Sequence, residues 1–309
     1  MPRVSPAPGP PGPTPATRCG LITIVGRSNV GKSTLLNRIL GQKVSITSPK
    51  PQTTRQPILG IKTDGACQCV FVDTPGLSAP RRRALYRLSN RSVMRSLADC
   101  DAVLFMVEAL RWGEDDQRVL ERVQRLARPV VLAVTKIDLC RDKRRLLPFL
   151  EAAGARMDFA AVVPLSGRTG DNLEAMQAAL SELLPFAPFL FPEHQVTACS
   201  ERFLAAEIIR EKLLRRLGAE VPHRIAVSID QFAERADLVG IHATIWVERA
   251  GQRRIVIGGS GAVLKAAGSE ARADLEAMLG KQVHLETWVK VKDKWSDDPS
   301  ALRKLGLAG

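Results

Sequence analysis

The amino-acid sequence predicts an α/β domain built on a mainly parallel sheet, followed by a smaller α+β domain. Three observations carry this. Strand-like and helix-like patterns alternate regularly as far as Leu184. Pro185, Pro188 and Pro192 then break the rhythm in a stretch without helical periodicity. Beyond it the order becomes helix, strand, strand, glycine turn, helix, strand, a different pattern from the parallel unit.

Each element follows from its residues. Leu21–Val25 is a short apolar run ending at a glycine and reads as a buried strand; residues 33–40 read as a helix. Strands are expected at 57–62 and 68–72, a helix at 84–98, a strand at 102–107, a helix near 115–127 and a strand at 129–134. A short strand near 161–165 precedes a helix capped by Asp171. Apolar strands alternating with helices imply a sheet covered on both faces. The expected organisation is a disordered proline-rich 1–17, a first domain over 18–184, a linker over 185–200 and a second domain with its tail over 201–309.

In the second domain, residues 201–217 form an amphipathic helix with Phe203, Ile208, Ile209, Leu213 and Leu217 among its apolar positions. Strands follow at 223–230 and 239–248. The apolar run 254–257 leads into Gly258-Gly259-Ser260-Gly261, and residues 262–279 return to helix. The last strand alternates cleanly. Val283, Leu285, Thr287, Val289 and Val291 face one way, and His284, Glu286, Trp288, Lys290 and Lys292 the other.

Composition narrows the function. The 309 residues suffice for two cores, and no stretch reaches the roughly 18 consecutive apolar residues of a membrane span. Residues 1–17 lack the apolar core of a secretion signal. Of six cysteines only Cys67 and Cys69 lie close together, without a zinc pattern, which fits a reducing compartment. The net charge is +13, ten of it in residues 1–200 and three in 201–309. Such a charge suggests a nucleic acid or another anionic partner without choosing between them.

Gly26-Arg27-Ser28-Asn29-Val30-Gly31-Lys32-Ser33, continued by Thr34, matches the phosphate-binding pattern GxxxxGK[ST] between a strand and a helix. Its amides and the helix start favour phosphate, Lys32 reaches the terminal phosphates, and Ser33 ligates Mg²⁺. Asp73-Thr74-Pro75-Gly76 ends the next apolar strand. There Asp73 can hold Mg²⁺ through water, and the Gly76 N–H can sense the γ-phosphate. Between these motifs lies Pro49-Lys50-Pro51-Gln52-Thr53-Thr54-Arg55. Thr54, with Thr53 as the alternative, is expected to complete the Mg²⁺ ligands, so that the loop responds to the γ-phosphate. Thr135-Lys136-Ile137-Asp138 follows the strand 129–134. A carboxylate at Asp138 accepts both N1–H and the N2 amino group of guanine, a pair adenine lacks, and Lys136 lays its stem along the base.

Together these motifs resemble the Era family of bacterial ribosome-assembly GTPases. Residues 41–55, the helix beginning Glu201-Arg202-Phe203-Leu204 and the tail 284–295 extend the resemblance over about residues 18–307. It implies a Ras-like P-loop GTPase domain followed by a type II KH domain. It further implies GTP/GDP with Mg²⁺, small-subunit rRNA near its 3′ end, the small ribosomal subunit as partner, a monomer, and a cytoplasmic location with loose attachment to the inner membrane. Lys32, Thr54 and Gly76 are the expected catalytic groups. Ser166 and Gly167 are the expected base-edge contacts. Gly258, Gly259, Ser260, Gly261, Lys265, Trp288, Lys290 and Lys292 are the expected RNA contacts. Trp288 can stack a base, or its face can pack on a helix.

Three departures stand out. Residue 135 is threonine where the family has asparagine, which suggests a weaker tie to the P-loop and weaker nucleotide binding. The base-edge motif reads Ser166-Gly167-Arg168-Thr169-Gly170. The GxxG loop carries no lysine or arginine, so Lys265, Lys290 and Lys292 must supply charge. Leu77 follows Gly76 where a water-orienting glutamine is common, so intrinsic turnover should be slow. Arg83, Arg87, Arg91 and Arg95, spaced by four after Arg81-Arg82, form a basic face: a solvated surface or an rRNA contact. Arg27 is expected to face solvent. The alternatives are a GTP-dependent membrane or protein-binding regulator, an RNA-binding protein whose GTPase half is degenerate, and ATP hydrolysis, which Asp138 disfavours.

Overall fold

The computed structural model describes residues 16–51, 53–77, 84–218 and 224–305. The expectation of a disordered N-terminus, apart from Ala16 and Thr17, and the Arg81-Arg82-Arg83 run lie outside the described residues. No described helix is long and apolar enough to cross a membrane.

The first sheet contains β1 (Arg18–Val25), β2 (Ile58–Asp64), β3 (Cys67–Asp73), β4 (Ala102–Glu108), β5 (Val130–Thr135) and β6 (Ala161–Pro164), in the order β2-β3-β1-β4-β5-β6. All pairings are parallel except that of edge strand β2 with β3. Helices α1 (Lys32–Leu40), α2 (Ala84–Asp99), α3 (Glu114–Val123), α4 (Leu146–Gly154) and α5 (Leu173–Leu183) cover the two faces. Strand β4 shows why its sequence is uninterruptedly apolar. Ala102, Leu104 and Met106 enter one core, and Val103, Phe105 and Val107 the other. Helix α4 was not expected, and α5 starts after Asn172 in a left-handed conformation, so Asp171 is not its cap.

Residues 185–200 form a strap along this sheet. Buried Gln68 accepts hydrogen bonds from the Leu190 and Phe191 amides at 2.9 and 3.0 Å, and donates to the Phe191 carbonyl at 2.8 Å. Thr197 donates to the Leu59 carbonyl at 2.6 Å. Ser200 then caps α6 (Glu201–Arg216), its hydroxyl accepting from the Phe203 amide.

The second sheet runs β7-β8-β9, with β7 (Ala226–Glu234) antiparallel to β8 (Leu238–Val247) and β9 (Gln282–Val291) parallel to it. A parallel pair needs a long crossover, here α7 (Ala250–Ile257) and α8 (Ala262–Leu279). The apolar run expected to lead straight into the glycine turn is therefore the end of a helix. Its Val256 joins Ile208, Leu213, Ile241, Ile245 and Leu275 in the core. After β9, a short helix α9 (Pro299–Lys304) and buried Trp295 pack with Leu85 and Leu88 of α2.

The two domains meet along α6. Loop 41–55 of the first domain bonds to its buried Arg210 and Glu211, while buried Lys212 pairs with Asp274 of α8 at 2.7 Å.

Candidate nucleotide and nucleic-acid sites

At the end of β1 the chain turns at Gly26, where an added Cβ would lie 2.6 Å from the Met106 carbonyl oxygen. Asn29 and Gly31 adopt positive φ of 63° and 110°, curling the loop before α1. Lys32 folds back over it and donates to the Gly26 and Arg27 carbonyls at 3.0 Å each. It is 6% exposed. Burial lowers its pKa to about 8, against the pull of Asp73. The loop opens onto a 370 Å³ cleft lined by Gly31, Lys32, Ser33, Thr34, Thr54 and Gly76 among others. A second pocket of 210 Å³ adjoins it, with Val30, Thr135, Lys136, Asp138 and Gly167 in its wall. Gly31, Thr34 and Lys136 line both. The arrangement gives a polyanion site and an apolar slot for a flat ring, joined by one lysine.

Ser33, Thr54 and Asp73 converge. Ser33 Oγ lies 3.0 Å from Thr54 Oγ1 and donates to Asp73 Oδ2 at 2.7 Å, and Ser45 donates to the same oxygen at 2.8 Å. Asp73 Oδ1 is buried and has no hydrogen-bond partner. Burial raises the Asp73 pKa, with Lys32 and the three hydroxyls opposing. An all-oxygen set with an orphaned carboxylate oxygen fits a hard divalent cation such as Mg²⁺. Thr53 also lines the cleft, but its hydroxyl donates to the Lys50 carbonyl at 2.7 Å, so it is Thr54 whose hydroxyl meets Ser33. Gly76 packs on Ser28, where a Cβ would meet backbone at 2.8 Å.

Asp138 is held from two sides, by Ser166 Oγ donating at 2.7 Å and by Arg168 at 3.0 Å. Gly167 lies against α1, where a Cβ would sit 3.2 Å from Leu35 Cα. Thr135 does reach the P-loop: its hydroxyl is 2.9 Å from the Val30 carbonyl and 3.1 Å from that of Val107. Leu77 is buried in the core and carries no group that orients water.

In the second domain, Gly258-Gly259-Ser260-Gly261 joins α7 to α8 as a single helical turn with Ser260 at φ 50°. Gly258 is fixed by packing, since a Cβ would lie 2.5 Å from Val263. Nothing lies within 4 Å of a Cβ at Gly259 or Gly261, which leaves that side open to close approach by another backbone. Exposed Arg253, Arg254 and Lys265 flank the loop.

Comparison with known proteins decides the family. Residues 21–136 match the family model for 50S ribosome-binding GTPases, and residues 220–296 match the KH domain. GTPase Era of Pseudomonas savastanoi pv. phaseolicola is 51% identical over 293 residues, 95% of this chain and 98% of that protein. GTPase Era of Pseudomonas aeruginosa is 51% identical over 290 residues, covering 94% and 95%. The chain belongs to the Era family of GTPases. Two solved structures share its whole fold with a TM-score of 0.92, each spanning 95% of this chain and all of the other. One is a variant of Aquifex aeolicus Era bound to GDP and AlF4⁻, at 36% identity. The other is Era with MgGDPNP and nucleotides 1506–1542 of 16S ribosomal RNA, at 37%.

For this Era-family chain, the fold places some expected residues differently. Arg27 does not face solvent: it is ion-paired with Glu108, and with Asp116 at 3.5 Å. Trp288 and Lys290 lie on the sheet face away from helices α7 and α8, which the GxxG turn joins, and Lys292 lies just past the end of β9. Their neighbours Val283, Leu285 and Val289 pack into the helix-covered core, so strand alternation turns Trp288 and Lys290 to the opposite face of the sheet. There Trp288 makes an edge contact with His242, and Lys290 lies over the Trp246 ring. Arg87, Arg91 and Arg95 form an exposed stripe on α2. Sequence reasoning missed Ser45, Glu108, Arg168, Arg253 and Arg254. A signal existed for the last two only if 250–257 had been read as helix.

Proposed function

We propose that this protein is a Mg²⁺-dependent GTP-hydrolysing switch in maturation of the small ribosomal subunit, binding small-subunit rRNA near its 3′ end through the KH domain. The observation that carries the reading is the joined pair of pockets. Lys32 and the P-loop amides lie at one end, Asp138 and Gly167 at the other, and loop 41–55, which lines the first, rests on α6 of the KH domain.

Ser33, Thr54 and Asp73 are the residues that would hold Mg²⁺, which when bound neutralises charge on the transferring phosphoryl group. Lys32 and the loop amides stabilise the same charge. Asp138 selects guanine. The sequence supplies no side chain at position 77 to orient water, so intrinsic turnover is slow and a bound partner accelerates it. RNA approaches the open side of Gly259 and Gly261, where Arg253, Arg254 and Lys265 supply the positive charge absent from the loop. The protein works in the cytoplasm on ribosomal particles.

Crosslinking of the whole chain to immature small-subunit particles, with GDP or a non-hydrolysable GTP analogue, tests this. The expected result is crosslinks between residues 253–265 and rRNA near its 3′ end, stronger with the GTP analogue. Crosslinks to protein alone, or none that respond to nucleotide, would overturn it.

A further inference from the structure

We propose that Glu108 is a positioning residue for the nucleotide site: its carboxylate ties Arg27 of the P-loop to Lys136 at the seam between the phosphate and base pockets. Glu108 is the last residue of β4 and pairs in register with Thr135, one residue before Lys136. Its Oε2 accepts from Lys136 Nζ at 3.1 Å and also pairs with Arg27 Nη2. The brace extends further. Arg27 Nε lies 3.5 Å from Asp116 Oδ1, and Asp116 caps α3 by accepting from the Gly113 amide at 3.0 Å. Asp116 is fully buried.

An exposed ion pair would carry little weight. Here the Arg27 and Glu108 side chains are only 12% and 22% exposed, and one oxygen serves two cations. Without that carboxylate, Arg27 and Lys136 lose their common counter-ion and are left as two neighbouring cations, partly removed from water. Lys136 is the residue with most to lose. It lines both pockets, and its ammonium is fixed between them by the ion pair with Glu108 at 3.1 Å. A displaced Lys136 uncovers one wall of the base slot. The consequence is faster nucleotide release.

The inference rests on reading the 210 Å³ pocket as the guanine site. It is tested by stopped-flow release of a fluorescent GDP from the whole chain. Glu108→Gln is expected to release GDP about tenfold faster. Lys136→Met speeds release too, and adding Glu108→Gln to it changes the rate less than about twofold, since the two act as one unit. Release from Glu108→Gln at the parent rate, or factors that multiply in the double variant, would overturn the proposal. If Glu108→Gln fails to fold, Arg27→Gln takes its place with the same expectation and the same failure condition. Asp138→Asn separates the underlying reading. It should shift preference from guanine to xanthine nucleotides, and if it does not, the guanine assignment fails independently of the brace.

Discussion

Lys32 carries a charge that the folded chain, without nucleotide, must hold away from water. Burial lowers its pKa to about 8 from the ordinary 10.5. Between those values the unfolded chain binds the proton and the folded chain does not, so stability rises with pH across that window. Below pH 8 the buried charge is a penalty of about 3 kcal/mol at most. Lys32→Met should therefore be more stable than the parent at pH 7 in the absence of nucleotide. The advantage should fade as pH climbs from about 8 toward 10.5. Urea unfolding at a series of pH values checks this, and a pH-independent difference would contradict it. Thr135 is the second residue of consequence. Its hydroxyl serves two buried carbonyls, those of Val30 and Val107, so Thr135→Val should cost about 1–2 kcal/mol in urea unfolding and loosen GDP in titration. An unchanged midpoint and affinity would show that the tie has no weight.

Among elements, loop 41–55 and helix α6 form the contact between the domains. Glu211 is fully buried, accepts from the Thr47 amide at 2.9 Å, and pairs with Lys43 and Arg215. Glu211→Ala leaves those partners uncompensated and should cost about 3 kcal/mol in thermal or urea unfolding. Glu211→Gln should cost less, because an amide oxygen still meets the Thr47 amide. The GxxG turn gives a contrasting pair. Gly258→Ala strains both φ and packing against Val263, and should lower stability. Gly259→Asp meets open space, so the fold should hold while RNA binding weakens through repulsion of phosphate; filter binding and melting curves separate the two effects.

The elements that sequence reasoning recovered are those whose signal is local. The P-loop, Asp73-Thr74-Pro75-Gly76 and Asp138 motifs each sit at a strand end, and strand-to-helix alternation is visible within a short window. Helix α4 was not recognised, although Pro148 is compatible with it. It lies in the first turn, where the missing N–H has no intrahelical partner to lose. Helix α7 was hidden because Ile255-Val256-Ile257 reads equally well as strand, although Gln252, whose side chain accepts from the Glu248 and Arg249 amides, marks a helix start. The Arg27–Glu108 pair joins residues 81 positions apart, which no local pattern announces. The face assignment of Trp288 was correct as alternation, yet the sequence could not tell which face the helices cover.

At the scale of the molecule, a nucleotide site and an open glycine turn are joined through a buried polar contact at α6 and an apolar one at Trp295. The first reaches loop 41–55, which lines the phosphate cleft, and the second reaches helix α2. The charge near the GxxG turn is modest. Three basic side chains imply a slope of about −2 for the logarithm of RNA affinity against that of salt, and Arg253→Gln with Arg254→Gln should flatten it by about 1.4. Both the switch and its coupling to RNA require a guanine nucleotide in the joined pockets. Titration calorimetry of the intact chain with GDP and with ADP, in the presence of Mg²⁺, on the parent and on Lys32→Ala, tests that most directly. GDP should bind at least about a hundredfold tighter than ADP, and its binding should collapse in Lys32→Ala. Equal affinity for the two nucleotides, or a Lys32→Ala chain that binds GDP as the parent does, would contradict it.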